Sequence, residues 1–571
     1  MFLISITGSK TLNEKSIPEL KHYSFSINDN LDCHIYYSKR DYEIEEKNNK
    51  VTLIKSSIYS CDIFVFNKQD QSGYSIKNFM LSCPVYIYDN SDALIISSNI
   101  RLFHKLSIKT DINTKVLPEY FVFRYVTPPS TLYKNILSLP LDSQFVFTVG
   151  STKVETKNLI WTRAFDKKDD LSFNSASDLL VENFTSNTQD LLPLKDNVSC
   201  LLSGGMDSSV IFKSAKDILT LNNSHSTGYP FEIEEENGEL LYATTAAEAL
   251  GSKHVYHKFT NTQFLNGLVD SISQAEMPVV HLQSILLSLL FKNSLSEKDK
   301  IILCGQGADG LVGLNVMFNY QHYKYMIKPY LSPLLLIASK LISENSFTFA
   351  RFHTWSKRKW NSDYSNLNHA IWMLGIFGDM DWVMNEFNVD QSDIFQSRLT
   401  TINNIKPNSV LDAFSTLDFL SDVAVTQDIW SQMAIDTGRN VYYSFNPENI
   451  IKTANSISWE EKLTEPKRLM FHLGSKLGVP EFILNRPKLG FGVRSSLWAN
   501  KGGLSEPLLK LIEPVVDIEL VRTFQGSDER RAMIYWNWIN YGIWKRLFIL
   551  QESPQDLKAE LNEAIQQHPG L

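Results

Sequence analysis

Residues 201–210, with the sequence LLSGGMDSSV, decide how the larger part of this chain folds. The apolar run 198–202 is typical of a buried parallel strand, and one serine and two glycines at 203–205 interrupt it. A helical pattern begins at about Asp207. The stretch therefore predicts a strand, a glycine-rich turn and a helix in direct succession, and the turn has the size that surrounds a phosphate group.

The composition of this turn predicts a binding site for phosphate oxygens. Because glycine carries no Cβ, the backbone N–H groups of Gly204 and Gly205 can converge on an anion at the positive end of the helix dipole. The hydroxyl groups of Ser203, Ser208 and Ser209 supply further donors. An ordinary capped helix after a glycine turn is the alternative, since short glycine motifs recur by chance.

Asp207 is the exception among these hydrogen-bond donors. Its carboxylate repels a phosphate unless a cation lies between them, so it predicts a Mg²⁺ ion at the turn. Residues 301–314, IILCGQGADGLVGL, form a second apolar run that opens into a glycine-rich turn, and this turn carries Asp309. The chain thus has two strand-and-turn segments of the same kind, each with one carboxylate.

Both segments are similar to those of a known enzyme family. LLSGGMDSSV resembles the SGGxDSS pyrophosphate-binding loop of the N-type ATP pyrophosphatases, and IILCGQGADGLVGL resembles the LSGxGxDExxGG segment of the asparagine synthetase family. The resemblance implies ATP and Mg²⁺ as cofactors, cleavage of ATP to AMP and pyrophosphate, and a metal held by Asp207 and Asp309. The implied nucleotide-binding residues are Ser203, Gly204, Gly205, Asp207, Ser208, Ser209, Gly228, Gly305 and Gly307. No GKS or GKT follows the glycines, which distinguishes the turn from a Walker loop.

The overall composition excludes several classes of protein. A hydrophobic fraction of 43% and a charged fraction of 21% are typical of a globular protein, and 571 residues suffice for about two to four domains. The net charge of -8 and the pI near 5.9 give no reason to expect a nucleic acid partner. The longest apolar patch, 334–342, contains Lys340 and is too short to span a bilayer, so no membrane partner is expected.

The cysteines and the first residues both predict a cytoplasmic protein. The five cysteines are odd in number, scattered and without metal-ligand spacing, so they predict reduced core residues in a cytoplasmic protein. The opening sequence MFLISITGSK has a short apolar run without a basic leader, and it predicts a first strand rather than a signal peptide.

Residues 1–166 alternate short β-branched and aromatic runs with polar turns, and they predict a strand-rich domain. The runs are 2–6, 57–66, 85–88, 93–97 and 145–149. Their order resembles the amino-terminal glutamine amidohydrolase domain of asparagine synthetases, on the segments CPVYIY, LIISSNIRLF and YVTPPSTLYKNILSLPLDSQF. The resemblance implies an Ntn-type, αββα-like fold.

The second residue departs from that family. In the glutamine-hydrolysing enzymes a cysteine stands there, and its thiolate attacks the amide with the free α-amine as base. Here the residue is Phe2, which has no nucleophilic atom. The arginine and asparagine-glycine segments that grip glutamine in the family are also missing from the sequence. We therefore expect a degenerate domain that is retained for structure and does not hydrolyse glutamine.

The sequence predicts a second, larger domain over residues 178–571, after a polar linker at 167–177, KKDDLSFNSAS. A predicted helix at 178–191 leads to the nucleotide turn, and residues 239–257 have the pattern of a helix followed by a strand. This alternation predicts an α/β fold with a doubly wound parallel sheet and helical insertions. His254, which lies where the helix passes into the strand, is expected to be structural.

An aromatic region within this domain does not match the family core. Residues 329–393 contain Trp355, Trp360, Trp372 and Trp382. Aromatic side chains at this density either line a substrate groove or partner surface, or pack together as a second core. Packing into a second core is the simpler interpretation.

Two further segments carry candidate catalytic acids. Glu276 precedes a break at Pro278 and lies where relatives approach the acyl acceptor or donor, although a single glutamate is more often solvated or capping. Residues 420–439, LSDVAVTQDIWSQMAIDTGR, resemble the family's D-x-x-x-x-x-D-R-M-S-M-A helix, with Asp422 and Asp428 at its two aspartate positions. The sequence VYYS at 441–444 stands in place of the family's P-F-L-D, which argues against free aspartate as substrate.

A candidate catalytic lysine follows near the end of the domain. Residues 485–498, NRPKLGFGVRSSLW, look like the family's R-x-K-x-G-F-x-x-P-x-x-x-W. The resemblance implies a catalytic role for Lys488, because a lysine on a glycine loop can place a compact positive charge against pyrophosphate or a developing oxyanion. A plain surface lysine is the alternative, and Lys467 and Arg486 are further candidates.

The resemblance implies ATP-dependent formation of an amide. A substrate carboxylate attacks the α-phosphorus of ATP, and an amine, which needs a general base, then attacks the acyl-adenylate. The β-lactam synthetases and carbapenam synthetase, which also lack the amino-terminal cysteine, use a tyrosine and glutamate pair. Glu276 and Asp428 are the candidate acids here, and Tyr442 and Tyr443 are the candidate phenols.

Three functions remain open at this point. The first is lactam or macrolactam closure, or condensation, of a specialised small-molecule or peptide acid, as in β-lactam synthetases and lasso-peptide cyclases. The second is an ammonia-dependent amidating ligase, and the third is a scaffold that binds nucleotide without turnover. A biosynthetic partner protein or a homodimer is compatible with each of them.

Overall fold

The computed structural model describes the chain except for residues 9–19, 29–30, 40, 57–59, 81–82, 91–92, 150–154, 159–170, 222, 230–238, 324–336, 338–366, 375–377, 487–503, 526–528 and 569–571. The chain divides into two compact units. The first unit consists of Met1–Leu117 and Val126–Arg163, and the second of Pro118–Tyr125 and Ala164–Leu571.

The first unit is built from two six-stranded antiparallel sheets. Its strands are β1 (Phe2–Gly8), β2 (Lys21–Asn28), β3 (Leu31–Tyr37), β4 (Tyr42–Lys47), β5 (Lys50–Ser56), β6 (Ser60–Asn67), β7 (Ser72–Lys77), β8 (Tyr86–Asp89), β9 (Ala93–Ser97), β10 (Ile136–Ser138), β11 (Ser143–Thr148) and β12 (Glu155–Asn158). One sheet has the order β10-β8-β9-β1-β3-β2, and the other has the order β12-β11-β7-β6-β5-β4. A short helix, Ile100–Lys105, and a 3-10 turn, Thr114–Val116, follow β9.

Aromatic side chains from the two sheets meet in a shared core. The ring centre of Phe25 on β2 lies 5.5 Å from that of Phe66 on β6. The ring centre of Phe2 on β1 lies 5.4 Å from that of Tyr42 on β4. Aromatic and β-branched residues suit such a pleated, half-buried surface. The prediction of a strand-rich amino-terminal region is therefore confirmed.

The second unit contains a five-stranded parallel sheet. Its strands are β13 (Val198–Leu201), β14 (Asn223–Thr227), β15 (Lys253–His257), β16 (Ile301–Cys304) and β17 (Asn440–Tyr443). Their order is β15-β14-β13-β16-β17, and every neighbouring pair is parallel. All four residues of β16 are buried, so both faces of the sheet are covered there. The predicted parallel sheet is confirmed.

The order of the strands reverses at β13. Strands β14 and β15 extend from one side of β13, whereas β16 and β17 extend from the other. In open α/β sheets, ligands bind at the carboxyl ends of the strands that flank such a reversal. The two glycine-rich turns follow β13 and β16 directly, so the topology places both of them at this switch point.

Helices account for most of the remaining second unit, and the first of them begins one residue before it, at Leu117. They are Leu117–Phe123, Phe173–Gln189, Met206–Leu219, Glu239–Ala249, Asn261–Ala275, Gln283–Asn293, Ala308–Val312, Asn315–Tyr323, Asn368–Met373, Met380–Phe387, Gln391–Ile405, Val410–Leu417, Ala424–Asp436, Glu448–Ser456, Trp459–Lys462, Arg468–Leu477, Glu481–Leu484, Glu506–Ile512, Ile518–Arg522, Glu529–Trp544 and Pro554–Gln566. A 3-10 segment, Leu192–Asn197, precedes β13, and the stretches Asp418–Val423 and Lys545–Ile549 are π-helical.

The helix that precedes the nucleotide turn begins earlier than the sequence predicts. It spans Phe173–Gln189, and Ser172 caps it by accepting a hydrogen bond from the backbone N–H of Ser175 at 3.2 Å. Its first turns carry polar residues, which hid the helical pattern, yet Phe173 and Ala176 are buried. The carboxyl-terminal end of the predicted linker therefore belongs to this helix.

The described tryptophans of the aromatic region pack inside the second unit. The ring centre of Trp372 lies 5.3 Å from that of Phe395, and the ring centre of Trp382 lies 4.9 Å from that of Phe524. Phe121, in the segment Pro118–Tyr125, adds a third ring 5.9 Å from Trp382. These contacts agree with a second core, while Trp355 and Trp360 lie outside the described residues.

Two further features of the described residues concern membrane spans and cysteine thiols. None of their helices has the length and apolar content that crossing a membrane requires. Four of the cysteines, Cys33, Cys83, Cys200 and Cys304, are buried free thiols.

Candidate active site

The turn after β13 leads directly into the start of a helix. The hydroxyl oxygens of Ser203 and Ser208 lie 3.2 Å apart, and the backbone N–H of Ser203 donates to Ser208 Oγ at 3.3 Å. Gly205 is the N-cap residue of the helix Met206–Leu219, and no side chain caps that helix. The N–H groups of its first turn are therefore available to an anion at the positive end of the helix dipole.

Gly204 is required by the geometry of this turn. Its φ is +72°, and a Cβ built on it would lie only 2.4 Å from the carbonyl oxygen of Tyr242. Any other residue would be strained by its backbone conformation and would collide with the helix Glu239–Ala249. The glycine thus allows this helix to pack directly behind the nucleotide turn.

The turn after β16 approaches the first turn closely. A Cβ built on Gly305 would lie 3.3 Å from the carbonyl carbon of Asp207. Gly307 has a φ of +100° and is the N-cap residue of the short helix Ala308–Val312, which carries Asp309. The two glycine-rich turns therefore meet at the switch point of the sheet.

Lys467 joins the two predicted metal ligands. Its Nζ lies 3.0 and 2.8 Å from the two carboxylate oxygens of Asp207, and 2.9 Å from Oδ1 of Asp309. The lysine side chain is 11% exposed, whereas the carboxylates are 26% and 34% exposed. Burial disfavours the charged lysine, but the two carboxylates outweigh burial and hold the pKa of Lys467 above its usual range. Lys467 is therefore a fixed cation at the centre of the site.

The groups at this position fit ATP with Mg²⁺. Lys467 offsets only one of the two negative charges that Asp207 and Asp309 can carry, so the net charge at this position favours a further cation. Mg²⁺ in nucleotide sites is typically bound through one or two carboxylates, with phosphate oxygens and water as the other ligands. Among the residues with described positions, no cluster of three or more His, Cys, Asp or Glu side chains is arranged to hold a metal alone. Asp207 and Asp309 would therefore hold the ion together with phosphate oxygens.

A cavity of about 590 Å³ opens from the two turns. It is large enough for a nucleotide and lies where the sheet topology predicts a ligand. Its wall also includes the end of β14, at His225, Ser226 and Thr227. Other lining residues come from distant parts of the chain, namely Arg124, His281, Gln283, Asp418, Asp422, Trp430 and Arg486.

Most of the predicted nucleotide and metal ligands line this cavity. They are Ser203, Gly205, Asp207, Ser208, Gly305, Gly307 and Asp309. Gly204 shapes the turn from behind, and Ser209 is fully buried in the helix. Gly228 directly follows β14 without lining the cavity. Lys488 lies outside the described residues.

The two predicted catalytic acids are buried outside the cavity wall. Glu276 is 1% exposed and ends the helix Asn261–Ala275 with a φ of +61°. Asp428 is 4% exposed and lies within the helix Ala424–Asp436. Neither side chain is among those that line the cavity.

The two candidate phenols are also buried. Both lie on β17, where Tyr442 is 5% and Tyr443 is 2% exposed. The hydroxyl of Tyr443 donates to the carbonyl oxygen of Gln427 at 3.0 Å and lies 3.1 Å from Ser431 Oγ. Burial raises the pKa of Tyr443 well above its usual value. Tyr443 is therefore a neutral part of the packing at neutral pH.

The cavity wall contains a pair of polar residues, His281 and Asp422, to which the sequence analysis gave no role. His281 Nε2 and Asp422 Oδ1 lie 3.3 Å apart. Burial and the nearby guanidinium of Arg124 lower the pKa of His281, although Asp422 acts in the opposite direction. Burial opposes ionisation of Asp422, but His281, Arg124 and Arg398 outweigh it and lower the pKa of that carboxyl. The available signal for His281 was its place between a proline break and a core helix.

Arg486 connects the nucleotide turn to the helix behind it. Its guanidinium donates to the carbonyl oxygen of Ser203 at 3.3 Å. The same group lies 3.7 Å from the ring centre of Tyr242. Arg486 thus lies against the turn itself.

A group of histidines supports the carboxyl end of β14. His254 lies 2.8 Å from Ser224 Oγ and 2.8 Å from Ser226 Oγ, and it does not line the cavity. His225 Nδ1 and His257 Nε2 lie 3.2 Å apart. Burial and the neighbouring imidazoles lower the pKa of both His254 and His257 to about 4. His254 and His257 are therefore neutral at neutral pH, and their hydrogen bonds give them a structural role.

Comparisons with known proteins agree with the motifs. A family model described as asparagine synthase matches residues 192–530. The chain is 23% identical over 269 residues to glutamine-hydrolyzing asparagine synthetase 1 of Bacillus subtilis strain 168, which is 47% of this chain and 40% of that protein. It is 21% identical over 502 residues to a putative glutamine-hydrolyzing asparagine synthetase of Mycobacterium tuberculosis strain H37Rv, which is 82% of this chain and 73% of that protein. The match thus spans less than half of the Bacillus protein.

Proposed function

Because the chain belongs to the asparagine synthetase family, we propose that it is an ATP-dependent carbon–nitrogen ligase that releases AMP and pyrophosphate. The observation that carries this proposal is the meeting of Asp207 and Asp309 around Lys467 at the switch point of the sheet. This charge cluster adjoins a glycine-rich turn and an uncapped helix start. A nucleotide with its metal requires this combination of acids and anion-binding N–H groups.

The proposed reaction activates a carboxylate. A carboxylate is a poor acyl donor, because its charge repels nucleophiles and its oxygen is a poor leaving group. Its attack on the α-phosphorus of ATP forms an acyl-adenylate and breaks the bond to pyrophosphate. Attack of an amine on the acyl carbon then forms the amide and expels AMP. Mg²⁺, when bound, supplies neutralisation of the charge on pyrophosphate.

Each residue of the described site has a role in this proposal. The N–H groups and hydroxyls of the turn at 203–208 bind pyrophosphate oxygens. Lys467 supplies a fixed positive charge beside the same oxygens. Arg486 holds the turn through its hydrogen bond to Ser203. Lys488 is the proposed donor to the oxyanion of the second step.

We also propose that the first unit does not hydrolyse glutamine. Phe2 is fully buried, its backbone N–H donates to Ser98 Oγ at 3.0 Å, and its ring packs edge-on against Tyr42. Position 2 therefore has no thiol that could attack glutamine, and its side chain is part of the core of the first unit. The nitrogen of the product must then come from an amine or from ammonia.

The acid is proposed to be a specialised small molecule or peptide whose own amine closes a lactam or macrolactam ring. The departure at 441–444 from the family's P-F-L-D supports this choice over free aspartate. An ammonia-dependent amidating ligase is the second candidate, favoured by the names of the relatives. A scaffold without turnover is disfavoured, because Asp207, Asp309 and Lys467 are all present and meet at one point.

Product analysis distinguishes these functions. The protein is incubated with Mg²⁺-ATP and fractions of an extract from its own source cells, with and without ammonium chloride, and products are identified by mass spectrometry. Ring closure predicts AMP, and a product lighter than its acid by one water, without added ammonium. Amidation predicts AMP release that depends on ammonium. Formation of ADP, or no turnover in any fraction, contradicts the proposal.

A further inference from the structure

His281 and Asp422 form a pair in the wall of the cavity that holds the nucleotide turns. His281 lies just before the helix Gln283–Asn293, and Asp422 lies on the π-helical stretch Asp418–Val423. Their side chains are 23% and 22% exposed, and both line the cavity. The pair is thus partly shielded from water but open to a bound substrate.

The hydrogen bond between them fixes the tautomer of the imidazole. An ionised carboxylate accepts hydrogen bonds only, so Nε2 of His281 carries the proton that Asp422 Oδ1 accepts at 3.3 Å. In the neutral ring the lone pair is then on Nδ1. Among the described residues, Asp422 is the hydrogen-bond partner of the His281 imidazole. The Nδ1 lone pair remains for a substrate proton.

The charges around His281 favour the neutral ring. Arg124, from the segment Pro118–Tyr125, faces both members of the pair, and Arg398 faces Asp422. Burial and Arg124 lower the pKa of His281, and Asp422 offsets part of this effect. A neutral imidazole at neutral pH has the protonation state that a general base needs.

We infer that His281 is the general base that takes the proton from the attacking amine, and that Asp422 is its positioning residue. The inference rests on the proposed ligase function. The extra proton of the substrate's alkylammonium passes to Nδ1 of His281, and the neutral amine then forms the C–N bond at the acyl carbon and releases its surplus proton to water. The bond from the acyl carbon to AMP then breaks, AMP leaves as an anion, and the imidazolium returns its proton to water.

The other candidate bases either do not line the cavity or already contact other polar groups. Glu276 and Asp428 do not line the cavity, and the hydroxyl of Tyr443 already donates to a backbone carbonyl. His225, which does line the cavity, lies 3.2 Å from His257 and 3.6 Å from Asp299. His281 lines the cavity, has the Asp422 carboxylate 3.3 Å from its Nε2, and has a second ring nitrogen that can take a proton.

Separate assays of the two half-reactions test this inference. The His281→Gln variant is compared with the unmodified protein and with a matched His254→Gln control, using the extract fraction that supports AMP release. Exchange of labelled pyrophosphate into ATP reports adenylation and also shows that each variant is folded. We expect His281→Gln to keep this exchange within twofold and to lose about 100-fold or more in amide formation. His254→Gln should retain both activities.

Hydroxylamine supplies a nucleophile that does not need the base. It is uncharged at neutral pH, unlike an alkylammonium with a pKa of about 10. Hydroxamate formation by His281→Gln should therefore proceed at close to the rate of the unmodified protein. Equal loss of amide and hydroxamate formation, or retention of full amide formation, overturns the inference.

The pH dependence of amide formation gives a second readout, because substitution of the charged neighbours of His281 should shift it only if His281 acts as a base. Replacing Arg124 by Gln removes a charge that lowers the pKa of His281, so the acid limb of amide formation should move to higher pH. Asp422→Asn removes the opposing charge, so that limb should move to lower pH. If the acid limbs of the pH–rate profiles of the two variants do not move in opposite directions, the inference is overturned. Absence of pyrophosphate exchange in the unmodified protein overturns the proposed function, and this inference with it.

Discussion

The ammonium group of Lys467 lies 2.8 Å from a carboxylate oxygen of Asp207, a residue 260 positions earlier in the chain. Lys467 precedes the helix Arg468–Leu477, whereas Asp207 lies in the first turn of the helix that follows β13. The same ammonium group also contacts Asp309. One lysine therefore offsets part of the negative charge of both aspartates that would bind the proposed metal ion.

Replacing Lys467 by Met should make the stability of the protein depend on Mg²⁺. Loss of the ammonium leaves two carboxylates facing each other, which we expect to lower the free energy of unfolding by about 2 kcal/mol in EDTA. Mg²⁺ should restore part of that loss by binding the folded state. Thermal unfolding with and without Mg²⁺ measures the effect. Lys476→Met, which removes an exposed partner of Asp178, is the control. An unfolding temperature for Lys467→Met in EDTA equal to that of the unmodified protein contradicts this account.

Gly204→Ala should destabilise the nucleotide turn far more than Gly205→Ala. The left-handed φ of +72° costs a non-glycine residue about 1 to 2 kcal/mol, and the contact with Tyr242 adds to that cost. Gly205 has a φ of -79°, and a Cβ there would lie 3.3 Å from Ser203 Oγ, so its substitution should cost less than about 1 kcal/mol. Denaturant unfolding of both variants measures the difference. Equal losses in the free energy of unfolding would show that the close packing of residue 204 against Tyr242 does not require glycine.

Phe2→Ala should lower the free energy of unfolding by about 3 to 5 kcal/mol, because a fully buried aromatic side chain leaves a cavity. Phe471→Ala, at a side chain that is 38% exposed, is the matched control and should have a small effect. Neither variant nor the unmodified protein should release glutamate from glutamine. Glutamate release by the unmodified protein would falsify the structural role assigned to the first unit.

Stability should fall as the pH is lowered from about 6.5 to about 4. Burial and neighbouring imidazoles lower the pKa of His254 and His257 from 6.5 to about 4 in the folded state. The unfolded chain therefore binds more protons than the folded chain across this window, and protonation favours unfolding. The double substitution of both residues by Gln should reduce the slope of the unfolding temperature against pH. An unchanged slope would assign the pH dependence to other groups.

The nucleotide turns could be predicted from sequence because their chemistry is local. Burial of β13 on both faces requires an apolar run, and the left-handed turn requires Gly204, so both are visible in consecutive residues. The carboxyl ends of parallel strands lie at one edge of a sheet, which agrees with the pairing of Asp207 and Asp309 that the family resemblance implied.

The rest of the site depends on contacts between distant parts of the chain. Arg124 reaches the cavity only because the segment Pro118–Tyr125 belongs to the second unit, where Glu119 also pairs with the buried Arg398. His281 and Asp422 are separated by 141 positions, and no spacing rule connects them. Periodicity likewise could not show that Glu276 ends its helix with its side chain outside the cavity wall.

Release of AMP and pyrophosphate from Mg²⁺-ATP tests the central claim most directly. The unmodified protein, Asp207→Asn and the control Asp217→Asn, whose side chain is 82% exposed on the same helix, are compared with the active extract fraction. The account predicts equal release by the unmodified protein and Asp217→Asn, and a loss of about 100-fold or more in Asp207→Asn. AMP release by Asp207→Asn at the rate of the unmodified protein would contradict the assignment of this site.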